Sequence, residues 1–162
     1  MVVAEQLLTT LLQSLKLLKI INQESCQLSV DGYRFKKILM KKEYTELEVW
    51  IEARKLVNMI YEKTKNFPKE EIYGLTNQIR RCSISIPSNI AEGLGRRTAQ
   101  DTIQFLHISR GSLYELETQI YLAFDQKYIN EIDLETFLNQ ILACKKLLNG
   151  FINYFKSLQN GN

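Results

Sequence analysis

"IRRCSISIPSNIAEGLGRRT", residues 79–98, is the stretch on which the fold turns. Read alone, CSISIP alternates polar and apolar residues as a half-buried strand does. Across the proline, however, Leu75, Ile79, Cys82, Ile86 and Ile90 recur at intervals of four, three, four and four, the period of one helix face. The longer pattern predicts a helix that continues through Pro87 with a kink. Proline there removes the hydrogen bond to the Ser83 carbonyl, a cost on the order of 3 kcal/mol, and the hydroxyls of Ser83 or Ser85 are placed to soften it. Gly93 is read as the left-handed residue past the end of this helix, with Leu94 folding back on the last turn. Arg96 and Arg97 then lie in a loop.

Working outward, the composition agrees. A chain of 162 residues, 45% hydrophobic and 24% charged, can bury one core without disulfides or metal. Its 7 glycines and 2 prolines are too few for the many turns of an all-β protein. Before the opening stretch, Thr45 with Glu48 reads as a capping box, followed by Leu47, Trp50, Ile51, Val57 and Ile60 on a helix running to about Lys65. NFPKEE supplies the turn, with Phe67 held extended by Pro68. After it, Thr98 with Asp101 caps a helix from Ala99 to Asp125, with a seam of Leu106, Leu113, Leu116, Ile120 and Ala123. Asn130 with Asp133 caps the last helix, which carries Leu134, Phe137, Leu138, Ile141, Leu148, Ile152 and Phe155. The expected fold is all-α, an antiparallel up-down four-helix bundle. Phe105, Ile108 and Tyr121 lie off the third seam, so more than one face is apolar and self-association is expected.

Residues 1–39 read differently. AEQLLTTLLQSLKLLKII suits a helix, but Gln13, Lys16 and Lys19 interrupt it and no basic stretch precedes it, so it makes neither a signal peptide nor a membrane span. From Met40 the chain reads MKKEYTELEVW, a polar start before a capped helix. The expected domain is therefore residues 40–162, with 1–39 an N-terminal extension, either an upstream-start artefact or an extra docked helix. Cys26, Cys82 and Cys144 are far apart and odd in number, which suits a reducing cytoplasm better than a disulfide framework.

Little points to catalysis. His107 is the only histidine, so two-histidine metal sites are excluded, and Gln104 stands where a bundle di-iron site needs glutamate. Cys82 and Cys144 sit on apolar faces and read as small core residues. EGLGRR lacks the length and lysine of a P-loop. The expectation is a non-enzymatic protein with no cofactor and no metal.

The positive signal is arginine placement. Five of the seven arginines, Arg80, Arg81, Arg96, Arg97 and Arg110, fall within 31 residues that contain only Glu92 and Asp101 as acids. The planar guanidinium suits phosphate because it donates two parallel hydrogen bonds. Structural pairing is the other reading: Arg96 and Arg97 follow a helix C-terminus, and Arg80, Arg81 and Arg110 have Glu92, Glu115 or a neighbouring subunit within reach. Ser88, Asn89 and Glu92 read as partners for backbone groups freed near Pro87 rather than as an edge that reads RNA or a protein.

The stretch from Leu47 to Arg97, with "QIRR" followed by "IPSNIAEG", and FLHISRGSLYELETQI at 105–120 resemble the bacterial four-helix-bundle family of 23S rRNA intervening-sequence proteins. That family also includes the accessory variability protein of diversity-generating retroelements. The resemblance implies a small cytoplasmic bundle assembling as a homopentamer, with nucleic-acid binding for some members and no catalytic residues. EGLGR stands here where the family has EGYGR, so no stacking tyrosine is implied. The reading at this stage is a bundle that binds RNA or DNA backbone with little sequence preference. The alternative is a scaffold for a protein partner such as a reverse transcriptase or a ribosome-associated protein.

Overall fold

Thr98 and Asn130 start helices as their side chains predict; Thr45 does not. In the computed structural model, which describes residues 43–160, Thr98 Oγ1 accepts a hydrogen bond from the Asp101 amide at 3.1 Å. Asn130 Oδ1 accepts from the Asp133 amide at 2.8 Å, and the Asp133 carboxylate accepts in return from the Asn130 amide at 3.2 Å. Each bond satisfies an amide that the first helical turn leaves without a partner. The first helix instead begins after Leu47, with no side-chain cap, behind a short 3-10 turn at Tyr44–Glu46. The Thr45–Glu48 capping box is therefore not formed. The expectations for residues 1–39 lie outside the described residues.

Four helices result: α1 Glu48–Thr64, α2 Leu75–Leu94, α3 Ala99–Asp125 and α4 Glu131–Asn160, with a second 3-10 turn at Lys69–Tyr73. Among the described residues there is no strand. Packing joins α1 to α2, α2 to α3, α3 to α4 and α4 back to α1, so the ring of neighbours closes as a four-helix bundle. Ile79, Ile86 and Ile90 of α2, Leu106, Leu113 and Leu116 of α3, and Ile141 and Leu148 of α4 are all essentially inaccessible to solvent. Each such side chain contributes about 1.5–3 kcal/mol by leaving water.

On α1 the buried stripe is Val49, Ala53, Leu56, Ile60 and Thr64. Of the residues expected on that face, Ile51 is 45% exposed and Trp50 and Val57 are only half-buried. The bulky residues draw attention in the sequence, but the face chosen is the one whose whole stripe packs. Ala53 lets the neighbouring helices come close, and the Thr64 hydroxyl is satisfied by donating to the Ile60 carbonyl at 2.8 Å. At the start of α2, Glu71 does the work that Gly74 cannot. Its carboxylate accepts from the Leu75 amide at 2.8 Å and from the Tyr128 hydroxyl at 3.1 Å, tying α2 to the α3–α4 turn.

The helical reading of residues 75–94 holds: α2 runs unbroken past Pro87. A chain of polar side chains flanks the proline. Asn89 Nδ2 donates to the Ser85 carbonyl at 2.8 Å and to Ser85 Oγ at 2.9 Å, and Ser85 Oγ lies 2.9 Å from Ser112 Oγ on α3. Ser109 Oγ donates to the Ile86 carbonyl at 3.0 Å, while Ser83 Oγ turns back to the Arg80 carbonyl at 2.9 Å. The Ser85–Ser112 and Ser109–Ile86 bonds knit α2 to α3 around the proline, and neither the Ser83 nor the Ser85 hydroxyl donates to the Ser83 carbonyl that Pro87 leaves without its helical donor. Gly93 is not a left-handed terminator: it lies inside α2, and no glycine among the described residues has a positive φ. Its role is close approach. A Cβ at Gly93 would stand 2.9 Å from Phe105 Cβ and 3.2 Å from the Thr102 carbonyl oxygen, and Thr102 Oγ1 donates to the Gly93 carbonyl at 2.8 Å.

Candidate nucleic-acid interface

The five arginines do not converge. Arg80 and Arg81 stand early on α2 and Arg96 and Arg97 in the loop after it, about 22 Å further along at 1.5 Å per residue. Arg80 points at the end of α1: its Nε donates to Thr64 Oγ1 at 2.8 Å and its guanidinium lies 4.9 Å from the Tyr61 ring centroid. Arg96 pairs with Glu92 one turn back and lies 4.4 Å from the centroid of Phe105. Arg110 leans towards α4, where Nη1 reaches Asn149 Oδ1 at 3.5 Å, the outer limit of a hydrogen bond. Arg81 and Arg97 are exposed and have no partner among the described residues.

Of the five, Arg96 alone has a carboxylate partner among the described residues. Glu115, a candidate partner in the sequence, instead accepts from Gln119 Nε2 at 3.0 Å. Asp101 accepts from the Thr98 hydroxyl at 2.6 Å and so belongs to the α3 cap. Of the polar residues beside Pro87, Asn89 is drawn inward to Ser85, Glu92 is exposed and holds Arg96, and Ser88 is exposed with no partner among the described residues.

Three residues enter the picture only through helix packing. His107, half-buried on α3, is acted on by Arg110 and by Lys156 of α4; burial first, then those two cations, hold its pKa below the usual value. Asn149 meets Arg110 from α4. Asn149 and Lys156 lie 39 and 46 residues beyond Arg110, so no local pattern marks them. Charge within reach of α3's α4-facing side is thus positive, while Lys145, nearer the other end, is taken up by Glu117 at 2.6 Å and by the Tyr114 ring at 3.9 Å.

The profile of the 23S rRNA-intervening sequence proteins matches residues 45–150. The chain belongs to that family. A crystal structure of a protein of unknown function from the S23 ribosomal protein family of Bacteroides thetaiotaomicron matches this family member with a TM-score of 0.60 at 25% identity. It covers 64% of this chain and 97% of that one. No curated protein matches.

The two cysteines among the described residues are both buried. Burial, then Glu115, pushes the Cys82 thiol up to about 12, and its Sγ donates to the Ser112 carbonyl at 3.0 Å. Burial, then Glu52, raises Cys144 to about 11. Neither is a thiolate at neutral pH. Among the described residues no three His, Cys, Asp or Glu side chains group as metal ligands, and no helix is long and apolar enough to cross a membrane.

Proposed function

We propose that this family member is a non-enzymatic, self-associating bundle of the cytoplasm that binds the phosphate backbone of RNA or DNA with little sequence preference. One observation carries the reading. The two acids of the arginine-rich segment are already engaged, Glu92 by Arg96 and Asp101 by Thr98, so Arg81, Arg97 and Arg110 have no carboxylate partner among the described residues. Unpaired guanidinium groups on a folded surface attract phosphate and release its counterions. Self-association is supported by the apolar side chains on the outside of α3, where Ile108, Tyr114, Tyr121 and Leu122 are each about half exposed. A symmetric assembly, five copies on the family resemblance, would repeat every free arginine around an axis and turn a small surplus of charge into a ring.

The test is the Arg81→Gln/Arg97→Gln variant. Both side chains are exposed and unpaired, so melting temperature and assembly should not change. Affinity for mixed-sequence RNA should fall alike for all sequences, and the slope of log affinity against log salt should shrink by up to about two units. Unchanged affinity and slope with intact assembly would refute backbone binding through these residues. They would move the function to a scaffold for a protein partner.

A further inference from the structure

His107 is an unusual histidine in its surroundings. The side chain is half-buried, and its Nδ1 is buried with no hydrogen-bond partner among the described residues. Buried polar atoms are rarely left without one. The charged groups that act on the ring are both cations, Arg110 from its own helix and Lys156 from α4. The charges that α2 and the following loop bring to this part of α3, Glu92 and Arg96, neutralise each other, and Arg96 is laid over Phe105. Arg110 is itself held loosely, by the 3.5 Å contact to Asn149 alone. Two cations and an unsatisfied imidazole therefore meet along the α3–α4 seam, and no carboxylate is among the charges that act on the ring.

We propose that His107, Arg110 and Lys156 form a proton-linked phosphodiester site along the seam between α3 and α4, in which His107 takes up a proton as a backbone phosphate binds. The inference rests on the nucleic-acid reading above and adds the place and the pH dependence of binding. A phosphate seated between the two cations reverses the field at the ring, because an opposite charge nearby favours the protonated form. The imidazolium then donates to a phosphate oxygen, directly or after a turn about its soft terminal torsion that brings Nδ1 outward. The proton comes from solvent and no covalent bond changes.

The sign follows. In the free protein the ring is neutral at pH 7, because its pKa lies below the ordinary value; in the complex the pKa rises. Binding therefore strengthens as pH falls through the interval between the two, by at most about tenfold per pH unit for one proton, and levels off once the free protein is protonated as well.

The chain has a single histidine, so its imidazole resonance can be followed by NMR in the full, tag-free protein. The probe is a short oligouridylate without a terminal phosphate, whose phosphodiesters and bases do not titrate between about pH 5 and 8. The His107 pKa should rise on saturation, and affinity should climb several-fold from pH 8 to 5.5 at fixed salt. His107→Gln should keep the affinity seen at pH 8 and lose the pH dependence. Lys156→Gln should weaken binding and reduce the salt slope by up to about one unit, an effect that a purely structural lysine would not produce, whereas unchanged affinity and slope would overturn its place in the site. An oligothymidylate arm separates sources: equal behaviour assigns the site to the phosphodiester itself, and a response confined to one strand type assigns it to that strand. Failure of both oligonucleotides to bind would overturn the nucleic-acid reading and this site together. Binding with an unmoved histidine pKa, or with pH dependence surviving in His107→Gln, would overturn this site alone.

Discussion

Replacing Gly93 by alanine tests the α2–α3 contact on which the whole interface is mounted. The added methyl would stand 2.9 Å from Phe105 Cβ and 3.2 Å from the Thr102 carbonyl oxygen. Neither is the free end of a flexible side chain, so the helices themselves must separate. Overpacking of this kind costs about 1–3 kcal/mol. Separation also stretches the 2.8 Å bond from Thr102 Oγ1 to the Gly93 carbonyl, worth about 0.5–1.5 kcal/mol. Against these stands the helical preference of alanine over glycine, about 1 kcal/mol in a helix interior. The unfavourable effects win, and Gly93→Ala should destabilise by about 1–3 kcal/mol. Gly111→Ala and Gly150→Ala provide the contrast, since a Cβ at either meets nothing within 4 Å. Only the propensity gain remains there, so each should stabilise by about 0.5–1 kcal/mol. Urea unfolding at one protein concentration, fixed because assembly shifts apparent stability, reads all three as midpoint shifts with an unchanged slope. A Gly93→Ala midpoint equal to or above that of the parent protein would refute the close-approach argument.

Ser109→Ala removes the hydrogen bond that α3 makes to the Ile86 carbonyl of α2 and should cost about 0.5–1.5 kcal/mol in the same assay, with Ser88→Ala near neutral. At Asp133, burial opposes the charge but the Lys63 hydrogen bond and the Asn130 amide outweigh it, so the carboxyl titrates below its ordinary range. Its stabilising effect is present above the unfolded-state pKa and lost as pH falls below about 4; melting curves from pH 6 to 3 should fall less steeply for Asp133→Asn than for the parent. Cys82 and Cys144, with thiols pushed up to about 12 and about 11, should escape iodoacetamide at pH 7.5 in the native protein and react fully in denaturant, as peptide mass spectrometry would show. Light scattering at micromolar concentration should give several times the 18.9 kDa chain mass; a single monomer peak would remove the ring-of-charge argument.

Much of the candidate interface was legible as residues and little of it as an arrangement. The arginines stand out because five fall in one short acid-poor segment. Which of them are free does not follow from that count. Arg80 is spent on Thr64 and Tyr61, and Arg96 on Glu92 and Phe105, whereas Arg81 and Arg97 keep no partner among the described residues. The Arg96–Glu92 pair is an i, i+4 contact and could have been read from spacing. Interactions that cross helices could not: Arg80 with Thr64, Arg110 with Asn149, and the Lys156 charge acting on His107 depend on how the helices are set against one another.

By itself the sequence determined what repeats along one helix. Caps at Thr98 and Asn130 are signalled by neighbours three residues away, and the α2 seam through Pro87 by apolar residues three and four apart, because these interactions are local and the chain reports them directly. Tertiary structure decided whatever depends on a neighbouring helix. It turned α1 so that Ala53 rather than Trp50 faces inward, and it gave Gly93 a place in the α2–α3 contact instead of a left-handed turn. It also drew Asn149 and Lys156 up to Arg110 and His107. A helix carries more than one plausible face, and only packing, which sums over the whole stripe and over both partners, selects among them.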